Sequence, residues 1–116
     1  MWRDLSPTIT RQRLVIEATL ERPMRAIEIL RYIKSVGPLL DMTPVTSPIL
    51  SHEPDYGWCG YMHWKESGMH MYTWDTKPPF FISVDIYTCK KFDPMDAVEF
   101  TKKFFGENII DIVWKE

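Results

Sequence analysis

The 116 residues are 45% hydrophobic and 26% charged with a formal net charge of -2, which excludes a disordered or fibrous chain and leaves room for one core, so residues 1–116 are expected to form one domain. Fourteen basic residues spread along the chain leave no concentrated positive patch for nucleic acid, and no apolar run is long enough to span a membrane. The opening Met1-Trp2-Arg3-Asp4-Leu5-Ser6-Pro7 lacks the apolar stretch of a secretory signal and two cysteines are too few to staple a secreted fold, so a cytoplasmic address is expected.

In chain order, the β-branched run from Arg13 to Leu20 reads as a strand closed by Glu21-Arg22-Pro23. From Met24 to Val36 the period changes: Ala26, Ile27, Ile29, Leu30, Ile33 and Val36 recur at three- and four-residue steps, which predicts an amphipathic helix ending at Gly37-Pro38. Four prolines between Pro38 and Pro54 (those two, Pro44 and Pro48) argue for edge or loop structure there. Trp58 to Glu66 and Met69 to Trp74 alternate, which predicts two strands joined by a tight Glu66-Ser67-Gly68 turn or bulge.

After the Asp75–Pro79 loop, Phe80 to Cys89 is the clearest strand. Phe80, Ile82, Val84 and Ile86 form an apolar face, while Phe81, Ser83, Asp85, Tyr87 and Cys89 form another that is too polar for core and too aromatic for ordinary surface. That second face is expected to line a pocket or a subunit interface. Asp93-Pro94 opens a second helix with an N-cap and a proline at its first position, Gly106 ends it, and Ile109 to Trp114 is a final strand. The order β, α, several β, α, β predicts an α+β two-layer sandwich, with an antiparallel or mixed sheet and both helices on one face. Five Trp, six Phe and five Tyr exceed what one small core needs, so homodimerisation through the remaining surface is expected.

His52, His63 and His70 match no zinc spacing, and Cys59 and Cys89 form no Cys-x-x-Cys pair, so no metal is expected. Gly57, Gly60 and Gly68 precede no helix and cradle no phosphate. Taken singly, Ser67-Gly68 is a turn dipeptide, Cys89 an inert thiol, and Tyr72, Trp74, Phe81 and Tyr87 packing residues. Their joint spacing carries more.

Glu66-Ser67, then Thr73-Trp74, and later Val84-Asp85-Ile86-Tyr87-Thr88-Cys89 resemble the hallmark blocks of the prokaryotic S-adenosylmethionine decarboxylases. Arg11–Ala18, Val45-Thr46-Ser47, Gly57-Trp58-Cys59-Gly60 and Asp93-Pro94 extend the resemblance over roughly residues 11 to 114. It implies that the Ser67 hydroxyl attacks the Glu66 carbonyl, that the resulting ester eliminates, and that a pyruvoyl group remains at position 67 as the cofactor. That carbonyl captures a substrate amine and acts as the electron sink for decarboxylation. By the same resemblance Cys89 matches the proton donor, and cleavage gives chains 1–66 and 67–116 held in a homodimer of such pairs.

Four points depart from the family pattern, one being that the usual Trp-Pro-Glu continues as Trp74-Asp75-Thr76. The histidine that assists cleavage is Tyr72 here, the serine also implicated in it is Cys59, and the residue after the precursor serine is Gly68 rather than His. A tyrosine is a poor base at neutral pH, so His70, on the same strand face, or His63, on the preceding strand, is a substitute candidate, and His70, Tyr72 and Cys59 are expected to assist cleavage or bind substrate. Phe81 or Tyr87 is placed to stack on the adenine, Trp74 to line the substrate site, and Asp75, beside the family's acidic position, to contact a ribose or amine. Two other readings stay open: a non-catalytic relative that binds without cleaving, and a pyruvoyl decarboxylase of an amino acid such as arginine or ornithine, which lacks the ribose.

Overall fold

A computed structural model describes residues 1–116. The elements are β1 (Gln12–Leu20), α1 (Ala26–Leu39), β2 (Ile49–Glu53), β3 (Gly57–Trp64), β4 (Ser67–Trp74), β5 (Phe80–Thr88), α2 (Pro94–Phe105) and β6 (Ile109–Lys115), with a 3-10 turn at Gly106–Asn108 before the last strand. All six strands join one sheet in the order β2-β3-β4-β5-β1-β6. Every pairing in it is antiparallel, which decides between the two sheet types the sequence left open.

Period-two alternation puts one row of each strand under the helices. Leu14, Ile16, Ala18 and Leu20 of β1, Met69 and Met71 of β4, and Ile82, Val84 and Ile86 of β5 bury together with Ile29, Tyr32, Ile33 and Val36 of α1 and Ala97, Val98 and Phe105 of α2. Both helices therefore cover the same face. The helices meet through Tyr32, whose hydroxyl lies 2.7 Å from Thr101 Oγ1 and whose ring stands edge-on to Phe104 at 5.3 Å. Complete burial pushes the Tyr32 phenol up to about 12, so it stays neutral and hydrogen-bonded.

Sequence and structure part at two local points. Helix α1 does not stop at Gly37-Pro38 but continues to Leu39 with Pro38 inside it. Gly37 acts through close packing instead of termination, since a Cβ there would lie 2.9 Å from Trp64 Nε1. The proline-rich stretch keeps to the expected edge, contributing a short strand, β2, where prolines on either side need not donate to a second neighbour. The β3–β4 turn falls on Lys65-Glu66, one residue earlier than expected, and Ser67 and Gly68 already pair with β3 and β5.

Candidate active site

The sheet face away from the helices carries no layer. On it, the register sets Cys59 opposite Tyr72, Tyr61 opposite His70 and His63 opposite Gly68 across β3–β4. Across β4–β5 it sets Gly68 opposite Tyr87, His70 opposite Asp85 and Trp74 opposite Phe81. The aromatic rings form a ladder, with centroids 4.6 Å apart for Tyr61–His70, 5.4 Å for His70–Tyr72 and 5.2 Å for Trp74–Phe81.

The backbone is unusual at the Glu66–Ser67 bond. Ser67 has φ 127°, a conformation that costs a non-glycine residue on the order of 1–3 kcal/mol. The Glu66 carbonyl oxygen accepts the Cys89 N–H at 2.8 Å, and the Glu66 carboxylate accepts the Thr43 N–H at 2.8 Å. The Thr43 N–H foremost holds the Glu66 carboxyl below its ordinary value. The acyl side of the bond is thus fixed at its oxygen and at its side chain, and a donor already polarises the carbonyl.

Gly68 answers a steric demand. A Cβ there would meet the Met62 carbonyl oxygen at 2.5 Å, with φ 158°, so no histidine fits without moving β3. Gly68→Ala is expected to destabilise the protein by about 2–3 kcal/mol, read as a lower urea midpoint at constant slope. A loss under about 0.5 kcal/mol would show that β3 yields freely.

Ser67 lines an open-face cavity of about 420 Å³ with Arg13, Tyr61, His63, Gly68, Met69, His70, Asp85 and Tyr87. Strict alternation would have turned Ser67 toward the helices with Met69; the left-handed backbone at Ser67 breaks that alternation. Arg13 donates to both carboxylate oxygens of Asp85, from Nε at 2.9 Å and from Nη2 at 2.6 Å, so a planar opposite-charge pair forms part of the cavity wall.

Of the sequence candidates, Ser67, His63, His70 and Tyr87 share this cavity, and Cys89 touches the Glu66 carbonyl through its backbone while remaining exposed and free. Cys59, Tyr72 and Trp74 line a second cavity of about 380 Å³ with Glu53, Tyr56, Gly57, Trp58 and Thr73. Tyr72 is five residues along β4 from Ser67, roughly 17 Å at about 3.4 Å per residue. Burial raises the Cys59 thiol, and burial followed by Cys59 and Asp85 raises the Tyr72 phenol, which makes neither a readier base. Phe81 borders a third hollow with Glu17, Thr19 and Asp111.

Asp75 turns back on its own strand end. Its Oδ2 accepts the Thr73 hydroxyl at 2.8 Å and its N–H donates to the Tyr56 carbonyl at 2.7 Å; burial raises its carboxyl. Arg13, Tyr61 and Asp85 escaped the sequence reading as site residues. The alternation of Phe80–Cys89 had put Asp85 on the polar face, but Arg13 enters through a pairing of β1 with β5 that no local pattern announces. No group of three His, Cys, Asp or Glu side chains converges as a metal would require.

The fold and site define a two-layer α+β protein with aromatic and titratable side chains on the uncovered face of an antiparallel sheet, beside a strained Glu-Ser bond. The family model described as S-adenosylmethionine decarboxylase matches residues 16–113, and the chain belongs to that family. A search of curated proteins gave no match.

Proposed function

We propose that this chain is a self-processing, pyruvoyl-dependent decarboxylase that opens its Glu66–Ser67 bond and acts on S-adenosylmethionine to supply the aminopropyl donor of spermidine biosynthesis. The observation that carries the reading is the Glu66 carbonyl held by the Cys89 N–H at 2.8 Å beside a serine at φ 127°, in a chain of this family. The residues fit the cofactor: Ser67 is its precursor, and the cavity beside it admits a substrate. A pyruvoyl carbonyl at position 67 supplies the electron sink that carbon dioxide loss requires. The chain's own groups do the rest. Tyr87, His70 and Tyr61 offer rings against which a substrate base can lie, the Arg13–Asp85 pair orients charged ends, and the exposed Cys89 thiol returns a proton to the product carbon.

Homodimerisation belongs to this reading. The uncovered sheet face is aromatic, with Tyr72, Trp74, Tyr87 and Val113 all exposed, and a second copy laid on it excludes water from the Ser67 cavity. No helix of the structure is long and apolar enough to cross a membrane.

One observation favours the amino-acid substrate as a second reading. The carboxylate expected to meet a ribose is engaged by Thr73 and stands in none of the residues around Ser67. Carboxyl-labelled S-adenosylmethionine, arginine and ornithine, each incubated with purified protein, separate the readings. Label released from S-adenosylmethionine is the expected result, and release from arginine or ornithine alone transfers the assignment to an amino acid. Binding of S-adenosylmethionine by an unbroken chain, with no release, returns it to a non-catalytic relative.

A further inference from the structure

Cleavage needs a base that takes the proton of Ser67 Oγ and returns it to the departing nitrogen. At Tyr72 the chain has lost the histidine the family uses, and Tyr72 stands in another cavity. His63 occupies the opposite situation. It is an exposed side chain on β3 directly across from Gly68, the residue that follows Ser67, and it lines the same cavity as Ser67. Directly opposed strand residues stand about 5 Å apart, and Ser67 is the chain neighbour of the residue that His63 opposes.

The ring is also oriented. Tyr61 Oη lies 3.3 Å from His63 Nδ1, and the two rings are nearly parallel at 6.5 Å. In the tautomer with Nδ1–H donated to Tyr61 Oη, Nε2 keeps a free lone pair for the serine, the arrangement that an orienting partner gives a histidine base. His70 is less suited. It sits three residues from Ser67 along β4, roughly 10 Å at about 3.4 Å per residue, with its ring against Tyr61 and Tyr72.

We infer that His63, oriented by Tyr61, is the general base of self-cleavage within the same chain, taking over the role vacated at Tyr72. The inference rests on the self-processing reading above. In the step, Nε2 accepts the Ser67 Oγ proton while Oγ bonds to the Glu66 carbonyl carbon. The developing oxyanion meets the Cys89 N–H. The bond from that carbon to the Ser67 nitrogen then breaks and Nε2 returns the proton to the nitrogen, giving an ester with no net change of charge or oxidation state. The other ionisable groups on the cavity wall are Arg13, Asp85, Tyr61, His70 and Tyr87.

The test uses the full-length chain and its His63→Ala, Tyr61→Phe and His70→Ala variants, followed by intact mass, with hydroxylamine added to split any ester already formed. His63→Ala is expected to slow ester formation at least about 100-fold, to give no hydroxylamine-released fragments in the interval that cleaves the parent, and to recover cleavage in added imidazole. Recovery by imidazole separates lost chemistry from lost folding. Tyr61→Phe is expected to slow the reaction by about ten-fold, and a His70→Ala chain that stops forming the ester while His63→Ala still forms it moves the base to β4. Ester formation by His63→Ala at the parent rate, with the parent itself cleaving, overturns the assignment of the base alone. A parent chain that never breaks or forms an ester overturns both this inference and the self-processing reading.

Discussion

Ser67→Ala is expected to leave a single unbroken chain of 116 residues and to abolish decarboxylation of any substrate, because in the proposed self-processing it removes the oxygen that would attack the Glu66 carbonyl and the precursor of the cofactor. The fold is expected to tolerate it. Alanine at φ 127° is as strained as serine, so stability should stay within about 0.5 kcal/mol of the parent. Ser67→Gly is likewise uncleavable but accepts that backbone without penalty, so it should be more stable than the alanine variant by on the order of 1–2 kcal/mol. Intact mass and urea unfolding of the two variants provide the check. A Ser67→Ala protein that still separates into fragments beginning at position 67 would end the pyruvoyl reading.

Trp64→Ala is expected to cost about 3–5 kcal/mol. Trp64 is fully buried, lies under α1 where Gly37 leaves room for its ring, and is the cross-strand neighbour of Ser67. Truncation leaves a void behind the very residue whose geometry is strained, so cleavage should slow along with the loss of stability. Trp64→Phe should cost far less. The indole N–H has no hydrogen-bond partner in the core, and removing an unsatisfied buried donor offsets part of the lost packing, on the order of 1–3 kcal/mol. A Trp64→Phe loss above about 3 kcal/mol, measured by urea unfolding, would mean that removing the N–H offsets nothing.

How much of this was legible beforehand depended on whether a signal was local. β5 could be read, faces and all, because its apolar and polar residues segregate strictly by parity. The start of α2 could be read because Asp93 and Pro94 are capping residues for a reason confined to one turn, and Asp93 Oδ1 accepts the Met95 N–H at 3.0 Å. Gly37 misled because glycine before proline reads as a stop, whereas its cause is an indole 27 positions away in sequence. The Glu-Ser bond was visible from its neighbours in sequence; the strain at Ser67 and the donor on its carbonyl were not, since both depend on how β4 joins β5. Arg13–Asp85 links residues 72 positions apart. Tyr72 and Cys59 were grouped with Ser67 by motif, and the strand register grouped them with each other.

The strand order has a bearing on what the molecule becomes once it is cut. A break between Glu66 and Ser67 assigns β1, β2, β3 and α1 to one piece and β4, β5, β6 and α2 to the other. Across the sheet those pieces interleave: β2 and β3 from the first, β4 and β5 from the second, β1 from the first, β6 from the second. Three ladders, β3–β4, β5–β1 and β1–β6, would then run between separate polypeptides. Neither piece closes a core alone, so the nicked protein becomes an interlocked heterodimer created without any encounter step. Its melting point would depend on the concentration of each piece even where no second copy binds, and once melted it would have no covalent path back, so each molecule would have one opportunity to assemble, before it is cut.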